Sequence, residues 1–455
     1  MIKSRFKLGL LLTALIFILL IWLLMIIFEG EKPQAHLEPL PEYLSKGINF
    51  TLTASDLKMG LRNMKVVVNQ DGLVFPILKK NFPYEGLFNK RGIRAYKEGF
   101  AVDPKKLNMV QGQANLVIEV LDFSKRRGGD GNLLLLEHKM IVDTIPPSIT
   151  AASRGNISIG GSGLILYRPS LDTHESGVLV NDLLFRGTPF SRDPQTGLYI
   201  CYFALPYNSK KDTPLYLWVK DRADNETKNI FSYYIRGKQF RSDKIRISDQ
   251  FLEHVVSRFA ADLFGPEKTT IEKYLLINKK LREENHAVLR NLCQSPTEEK
   301  LWDGPWIRMK NAATMATFGD QRTYYYKDKA IDKGIHTGVD LASLATSPVQ
   351  AANTGRVIFA QDLGIYGLTA VLDHGQGLYT MYSHLSRIDV NVGQLIAKGD
   401  ALGATGQTGL ATGDHLHFSF LVHGVFVNPI EWWDPHWIKD NISRKLNTID
   451  SASEK

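Results

Sequence analysis

The sequence predicts a mainly β protein in which an N-terminal transmembrane helix and a helical connector accompany several β domains. Three observations support this fold class. An uncharged apolar run occupies residues 8–28, short alternating β-type runs fill residues 48–237, and glycine-punctuated β runs resume between residues 302 and 437. With 455 residues the chain is too long for one compact core, so several domains are expected.

The N-terminal run is flanked by basic residues, since Lys3, Arg5 and Lys7 precede it. At about 1.5 Å per residue it is long enough to cross a hydrocarbon core of about 30 Å. No Ala-x-Ala cleavage pattern follows Phe28, which favours an uncleaved signal anchor over residues 1–29. We therefore expect a single-pass protein of the inner (cytoplasmic) membrane whose remaining chain lies on the periplasmic or extracytoplasmic side. A cleaved signal peptide is the alternative, and it would export the same residues.

Residues 30–47 lack apolar periodicity and are predicted to be a linker. Two β-sandwich modules are expected after it, at 48–145 and 146–240. A weak repeat supports the pair, because the strand-like runs 116–122 and 215–221 are each followed by an Asp/Asn turn and a second strand. The extended segment 142–147, which ends in two prolines, resembles the junction between tandem immunoglobulin-like domains of bacterial surface proteins. This resemblance implies tandem immunoglobulin-like β-sandwiches.

A helical connector is predicted over residues 241–300. Ser248 can cap a helix in which apolar residues recur at helical spacing up to Leu263, and Thr270 to Leu292 forms a second helical pattern. The charged stretch 279–285 is interpreted as a solvated face, with a partner-docking or site-occluding arm as the alternative. A further β-rich domain, in which glycine is frequent, is then expected at 301–440 and a polar tail at 441–455.

Composition narrows the classes of partner. The 55 Lys+Arg and 47 Asp+Glu give a net charge of only +8, and no dense basic stripe with interleaved aromatics is present. A nucleic-acid partner is therefore not expected, whereas an anionic wall or membrane surface is compatible with this charge. Two cysteines exclude a disulfide framework, and whether Cys201 and Cys293 pair stays open.

Metal chemistry is indicated by histidines in the C-terminal third. The segment 334–340 places His336 and Asp340 four positions apart between glycines, and in a strand His415 and His417 would face the same side. His384 adds another imidazole from a further strand-like run. Imidazole nitrogen and carboxylate oxygen suit zinc, and a catalytic zinc site needs three protein ligands with one position for water.

These residues satisfy the needs of metal-assisted amide hydrolysis. A single His-x-His is more often a polar strand edge than a metal site, but its conjunction with His336 and Asp340 in one glycine-rich region is hard to obtain by chance. No Ser-His-Asp set, Cys-His pair or Gly-x-Ser-x-Gly elbow competes in that region. Outside this set, a turn-capping role is expected for His374 and a surface or packing role for His423 and His436.

Together, these motifs resemble the lysostaphin/LytM family of zinc peptidases. The resemblance covers roughly residues 305–435 and includes the glycine-rich runs 351–357 and 403–409. It implies an antiparallel-β peptidase domain in which His336, Asp340 and His417 bind zinc. His384 and His415 would then flank the metal as the catalytic imidazoles, orienting the water and stabilising the transition state. Residues 318–322 and 324–326 are expected either to form a flap over the groove or to serve as packing residues or a surface turn.

Members of this family cleave peptide bonds in the stem peptides or bridges of peptidoglycan. The predicted protein is therefore a membrane-anchored zinc metalloendopeptidase that hydrolyses peptide cross-links of peptidoglycan in the cell envelope, with other envelope proteins as further partners. Some relatives lose metal ligands and activate cell-wall amidases, so a non-enzymatic wall-binding scaffold or activator is the main alternative. A peptidase of exported proteins is a third reading. Because all five positions are filled here, the active enzyme is favoured.

Overall fold

A computed structural model describes residues 2–190, 197–260, 263–264 and 267–447, with side chains from residue 7 onward. The protein is mainly β, as predicted. The chain divides into two compact units. The first comprises residues 1–146 and 221–225, and the second comprises residues 147–220 and 226–455. The division into seven segments expected from the sequence stays a prediction.

The first unit begins with helix α1 (Ile2–Ile27). Its span from Lys7 to Ile27 is apolar and long enough to cross a membrane, and none of it is buried within the protein. Large apolar side chains such as Leu15, Ile16 and Phe17 are more than 60% exposed. This is compatible with a membrane anchor or with a signal sequence.

Eight strands follow α1 in the first unit: β1 (Gln34–Glu38), β2 (Tyr43–Leu44), β3 (Ile48–Ser55), β4 (Leu61–Gln70), β5 (Leu73–Asn81), β6 (Ala95–Val102), β7 (Gly112–Asp122) and β8 (Leu133–Val142). They form a three-stranded sheet in the order β1-β3-β6 and a five-stranded sheet in the order β2-β8-β7-β4-β5. Alternate residues such as Phe50, Leu52, Val66, Val68 and Ile118 are buried between the sheets in one core. The period-2 alternation in the sequence thus produces a sandwich.

The segment 30–47, expected to be a linker, differs from the prediction because it contains two strands. β1 pairs antiparallel with β3, and β2 pairs parallel with β8. Leu37 and Leu44 are 2% and 0% exposed in the core of the sandwich. Two short strands that are separated by Pro39 and Pro41 carry too little local pattern to identify, since their stability comes from distant partners.

The two copies of the weak internal repeat share the same hydrogen-bonded Asp–Asn pair. Asn132 donates from Nδ2 to Asp122 Oδ2 over 2.8 Å, and Asn225 donates from Nδ2 to Asp221 Oδ2 over 2.9 Å. In both copies the aspartate also accepts the backbone N–H of its asparagine partner. Each copy therefore closes the turn that follows a buried strand with the same pair of side chains.

The second unit opens with a β-rich module whose strands are β9 (Ile149–Ala151), β10 (Gly155–Ser158), β11 (Ser162–Pro169), β12 (Thr173–Val180), β13 (Leu183–Arg186), β14 (Thr188–Pro189), β15 (Tyr199–Ala204), β16 (Leu215–Asp221), β17 (Glu226–Ile230) and β18 (Tyr233–Arg236). They form two four-stranded sheets, in the orders β14-β15-β11-β9 and β13-β12-β16-β17, and a parallel pair of β10 and β18. The immunoglobulin-like label for the two modules stays a prediction.

The predicted helical connector begins with a strand, β19 (Ser242–Arg246), and continues with α2 (Asp249–Val256), α3 (Thr270–Leu276), a π-helical turn (Ile277–Leu281) and α4 (Arg282–Leu292). The predicted Ser248 cap is confirmed, since its side chain accepts the N–H of Phe251. α2 ends at Val256, before the Leu263 that the periodicity suggested.

The connector packs on the sheet that follows it. Ile277 and Leu289 are both fully buried and share a cluster with Tyr379, Met381 and Leu421. The charged stretch 279–285 was therefore only partly a solvated face, because Asn285 is buried. The connector is thus integrated into the fold of the second unit.

The remaining strands are β20 (Ala313–Ala316), β21 (Gln321–Tyr326), β22 (Lys329–Ile335), β23 (Val339–Ala342), β24 (Pro348–Gln350), β25 (Gly355–Asp362), β26 (Leu368–Asp373), β27 (Leu378–Ile388), β28 (Leu395–Ile396), β29 (Ala401–Thr405), β30 (Leu416–Val422) and β31 (Val425–Val427). A large sheet runs in the order β20-β23-β30-β27-β26-β25-β28, with β24, β29 and β31 paired beside it. β21 lies between β22 and the parallel strand β19 in a smaller sheet.

Helices α5 (Pro429–Trp433) and α6 (Pro435–Ile438) and a π-helical turn (Lys439–Ser443) follow β31. The first part of the predicted polar tail is packed, because Ile442 and Leu446 are 1% and 9% exposed, and residues 448–455 lie outside the described residues. Trp302, Trp432 and Tyr202 join the core of the β module to that of the large sheet. Cys201 and Cys293 are both buried and free.

Candidate functional site

The large sheet brings the five predicted site residues together. Asp340 on β23 and His417 on β30 are direct cross-strand partners, and His417 is also opposite Ser383 on β27. His336 lies in the turn between β22 and β23. His415 forms an isolated bridge with Gly406 just before β30, so that it lines the same cleft as His417 while Leu416 packs in the core of the opposite layer. The expected alternation of the His-Leu-His run is thus observed.

Three of these residues present a compact set of ligand atoms. His336 Nε2 lies 2.9 Å from Asp340 Oδ1 and 3.1 Å from His417 Nδ1, and His417 Nδ1 lies 2.8 Å from Asp340 Oδ1. Two imidazole nitrogens and one carboxylate oxygen are a usual zinc donor set. Zinc bonds of about 2.0–2.2 Å in a tetrahedral arrangement separate ligand atoms by about 3.3–3.6 Å. The three distances seen here are a few tenths of an ångström shorter, so small movements of the side chains would admit the ion. The donor set therefore fits a zinc ion.

Hydrogen bonds fix the ring nitrogen that each of the two histidines offers. His336 Nδ1 lies 2.9 Å from the carbonyl oxygen of Thr317, which can only accept, so Nδ1 carries the proton and Nε2 keeps its lone pair. Thr317 is held by Asp320, whose carboxylate accepts both its N–H and its hydroxyl. On the other side, His417 Nε2 lies 3.0 Å from Ser419 Oγ, which leaves Nδ1 for the donor set.

His384 and His415 form a second pair beside this set, with ring centroids 4.9 Å apart. His384 Nδ1 donates to the carbonyl oxygen of Thr408 over 2.8 Å, and His415 Nδ1 donates to that of Gly413 over 2.9 Å. Each ring therefore keeps Nε2 available to a ligand. His384 has φ +61° at an irregularity of β27, a left-handed conformation that is rare for residues other than glycine. Such local strain is typical of functional sites.

The surroundings shift the pKa values of the site residues in different directions. Burial opposes ionisation of Asp340, but the nearby His336 and hydrogen bonds from the histidines hold the pKa of Asp340 well below its usual value. Burial, with His417 and His415 nearby, lowers the pKa of His384 well below its usual value. Burial acts the same way on His415, but hydrogen bonding and the charge of Asp340 outweigh it and raise the pKa of His415. Burial lowers the pKa of His417 to about 4.

Gly338 is required by the approach of His417. A β-carbon at position 338 would lie 2.7 Å from both His417 Nε2 and Ser419 Oγ, and 2.5 Å from the carbonyl oxygen of Phe418. Real β-carbons essentially never approach other atoms so closely. Any side chain at this position would therefore displace His417 or its hydrogen-bond partner Ser419.

The five residues line a cleft of about 400 Å³. One wall consists of residues from the segment 334–417, including all five site residues. The other wall comes from earlier in the chain: Arg241, Ile245 and Ile247 at and around β19, Phe251 of α2, Tyr274 of α3, Arg282 of α4, and Arg322 and Tyr324 of β21. The segments 318–322 and 324–326, expected to be a flap or packing residues, contribute the last two side chains of this wall.

Sequence reasoning missed several polar contacts of the site. Tyr366 lies against His417 with ring centroids 5.6 Å apart, and its hydroxyl is 3.1 Å from Thr337 Oγ1 and 2.8 Å from His286 Nε2. His286 is on α4, so only the tertiary fold reveals this link. Ser419 could have been found, because it lies two positions after His417 on the same strand face.

The remaining histidines lie outside the cleft. His374 is fully buried between the carbonyl oxygen of Thr354 and the hydroxyl of Thr380, so it is a packed residue inside the fold rather than an exposed cap. His423 packs on Phe185 with ring centroids 6.0 Å apart, and the side chain of His436 is 92% exposed. The expected packing and surface roles of these two residues are confirmed.

Comparison with known proteins identifies the segment that carries the site. Residues 334–429 match the sequence profile of Peptidase family M23. This segment is an M23 peptidase domain. The match contains His336, Asp340, His384, His415 and His417, whereas the second wall of the cleft precedes it.

Curated relatives of the M23 domain include two from Gram-negative bacteria. The DD-carboxypeptidase/endopeptidase Mpg of Neisseria meningitidis is 36% identical over 96 residues, which are 21% of this chain and 22% of that protein. The peptidoglycan DD-endopeptidase ShyA of Vibrio cholerae is also 36% identical over 96 residues, with the same coverage. This chain thus spans about a fifth of the length of these relatives.

Solved structures similar to the chain include an M23 peptidase from Pseudomonas aeruginosa, with 21% identity and a TM-score of 0.38 over 61% of this chain and 94% of that chain. The catalytic domain of the antimicrobial peptidase lysostaphin from Staphylococcus simulans is 28% identical, with a TM-score of 0.24 over 27% of this chain and 92% of that chain.

Proposed function

We propose that this protein is a zinc-dependent endopeptidase that hydrolyses peptide cross-links of peptidoglycan. The observation that carries the proposal is the set of three ligand atoms from His336, Asp340 and His417, mutually 2.8–3.1 Å apart, with two further imidazoles in the same cleft. The M23 assignment supports peptidase chemistry.

In this proposal His336, Asp340 and His417 hold zinc. The metal would supply Lewis acidity that polarises the scissile carbonyl and makes water a stronger nucleophile. The Thr317 carbonyl keeps His336 in the required tautomer because it can only accept, and Ser419 Oγ can accept the Nε2 proton of His417 when Nδ1 binds the metal.

His384 and His415 are the proposed catalytic imidazoles. Each has Nδ1 tied to a backbone carbonyl, so both rings are held in place with Nε2 turned away from that carbonyl. His415 Nε2 lies 3.5 Å from Asp340 Oδ1, at the donor set, where it can exchange a proton with a bound water. Their position in the same cleft lets one ring accept a proton from the attacking water while the other stabilises charge on the carbonyl oxygen or protonates the departing amine.

The substrate and the location are inferred from two further observations. The curated relatives are named as enzymes that act on DD-peptide bonds, in one case in peptidoglycan. Helix α1 is an exposed apolar helix long enough to span a membrane, which supports anchoring with the M23 domain on the extracytoplasmic side. Resistance of the full chain to alkaline extraction from membranes would support the anchor, whereas a mature protein that starts after residue 29 would contradict it.

The hydrolase proposal is tested by zinc analysis together with digestion of purified cross-linked peptidoglycan. We expect about one zinc per wild-type chain and release of un-cross-linked muropeptides. His415→Ala should retain zinc but lose product, while the control His436→Ala, on an exposed histidine outside the cleft, should behave as the wild type. Equal product from wild type and His415→Ala would refute the enzyme and favour a wall-binding scaffold. Unfolded protein is assayed as a second substrate, and its digestion would indicate a general peptidase rather than one specific for peptidoglycan.

A further inference from the structure

Positive charge is concentrated in the cleft. Four arginines line it, all of which precede the M23 segment: Arg241, Arg246, Arg282 and Arg322. Three of the four face carboxylates: Arg241 faces Asp243 and Asp320 at 2.8 and 3.1 Å, Arg246 faces Asp328 at 3.8 Å, and Arg322 faces Asp340 at 3.4 Å. Their charges are therefore at least partly balanced within the protein.

Arg282 differs from the other three. Within the described chain its guanidinium has no carboxylate within 4.0 Å, and its hydrogen bonds go to a single residue, Asn278. Nε donates to the carbonyl oxygen of Asn278 over 3.0 Å, and Nη2 donates to Asn278 Oδ1 over 2.7 Å. A guanidinium has five N–H donors. Two of them orient the group, and the others remain for a ligand.

The orientation of Arg282 is fixed by Asn278, which is itself held by a hydrogen bond. Asn278 is 3% exposed and donates from Nδ2 to Asp332 Oδ2 over 2.7 Å, so it is anchored to β22. It lies in the π-helical turn Ile277–Leu281, immediately before Arg282. Single π turns inside α-helices recur at functional sites, because they shift the register of the side chains that follow.

The helix that carries Arg282 is tied to the floor of the cleft. Asn285 accepts the N–H of Ile365 over 2.9 Å, His286 pairs with the Tyr366 hydroxyl, and Leu289 is fully buried. Positions 282, 285, 286 and 289 recur at i, i+3, i+4 and i+7 and share one helix face. Arg282 is therefore held on the side of α4 that faces the M23 residues.

We infer that Arg282 binds a free carboxylate of the substrate, and that the preferred substrates are peptides with a carboxylate close to the scissile bond. A fixed guanidinium with spare parallel N–H groups suits bidentate recognition of a carboxylate. The inference rests on the proposed peptidase function of the same cleft. It assigns part of the specificity to the connector, outside the M23 segment.

The test uses two versions of one probe, a cross-linked stem-peptide dimer with free carboxylates and the same dimer with those groups converted to carboxamides. Hydrolysis and binding are measured for zinc-loaded full-length protein as wild type, Arg282→Met, Arg282→Lys and Arg290→Met. Arg290 is exposed on the same helix and does not line the cleft, so it provides the matched control.

We expect the wild type and Arg290→Met to prefer the carboxylate dimer by about 10- to 100-fold in kcat/KM, the range for a hydrogen bond to a charged group. Arg282→Met should lose this preference through a higher KM for the carboxylate dimer, with kcat and the carboxamide reaction little changed. Arg282→Lys should restore only part of it, because lysine lacks the fork.

An unchanged preference in Arg282→Met, or a wild type without any preference, would overturn the role of Arg282. If the wild type cleaves neither dimer, the peptidase proposal fails separately, and calorimetric binding then decides the question for Arg282. In that case we compare the dissociation constants of the two dimers. Tighter binding of the carboxylate dimer that disappears only when Arg282 is substituted supports carboxylate recognition. An equal ratio in all variants refutes it.

Discussion

Residues 334–429 and residues 241–333 line the same cleft but contribute different things to it. The M23 segment supplies the five predicted site residues, on or next to paired strands of one sheet. The preceding segment supplies apolar and cationic walls from β19, α2, α3, α4 and β21. The difference indicates that the proposed reaction chemistry belongs to the M23 segment, whereas the second wall of the cleft and part of the core belong to the residues that precede it.

The largest expected effect is on the chemistry. Asp340→Asn removes the negative charge from the proposed ligand set, so we expect loss of bound zinc and a fall in kcat/KM of roughly 10³-fold or more. The fold should be retained because Asn is isosteric. Zinc content, activity and circular dichroism check this. Full zinc occupancy with normal activity would contradict the assignment of Asp340.

A wall substitution should instead reduce stability. Leu289 on α4 is 0% exposed and packs on the large sheet, so Leu289→Ala is expected to cost about 2–5 kcal/mol in free energy of unfolding. The adjacent Val288 is 39% exposed, and Val288→Ala should cost much less. Denaturant unfolding measures both. If Leu289→Ala raised activity without loss of stability, α4 would be an occluding arm rather than part of the core.

A smaller effect is expected where the segment 241–333 is hydrogen-bonded to the M23 segment. Arg258, which follows α2, donates from Nη1 to the carbonyl oxygens of Gln407 and Ala411 over 2.8 and 2.6 Å, at the loop that forms one edge of the cleft. Arg258→Met should therefore raise KM several-fold and lower the free energy of unfolding by about 1–3 kcal/mol. Steady-state kinetics and thermal melts would show this. A change in kcat alone would imply a role in the chemistry.

The smallest expected effect is a pH dependence of stability at Glu431, just beyond the M23 segment. Burial raises the pKa of Glu431 to about 7, despite a hydrogen bond from the N–H of Ser162. The carboxyl group of Glu431 binds its proton more tightly in the folded state than in the unfolded state. Its contribution to the free energy of unfolding is therefore fully present below pH about 4.5 and is lost as the pH rises to about 7. Partial exposure limits it to about 1–2 kcal/mol.

The control for this titration is Glu431→Gln. The difference in free energy of unfolding between the wild type and this variant should change between pH 4.5 and 7 and stay flat above that range. A constant difference across the range would contradict the raised pKa of Glu431.

The sequence predicted the fold best where periodicity is local and repeated. The apolar run of α1, the alternating strands such as β4 and β7, and the helical pattern 270–292 all correspond to observed elements. The strands at 34–38 and 43–44 were missed because they depend on distant partners. The packing of α4 on the sheet was also missed, since Leu289 meets Tyr379 and Leu421 only in the folded chain.

The site shows the same contrast. His336, Asp340, His415 and His417 could be assigned to one cleft from spacing and strand alternation, and the structure brings them together. The left-handed backbone of His384 could not be predicted, because nothing in its local sequence favours φ +61°. Arg282 looked like one charge among many on a solvated helix, and only the fold separates it from its exposed neighbours.

The close contact at Gly338 has a consequence for how the domain can change over generations. Because even one methyl group there would collide with His417 and Ser419, we expect no single substitution of this glycine to be tolerated while those two residues keep their positions. Any replacement of this glycine has to move His417, Ser419 or the carbonyl oxygen of Phe418. In a directed-evolution library, position 338 should therefore return glycine alone whenever selection demands activity.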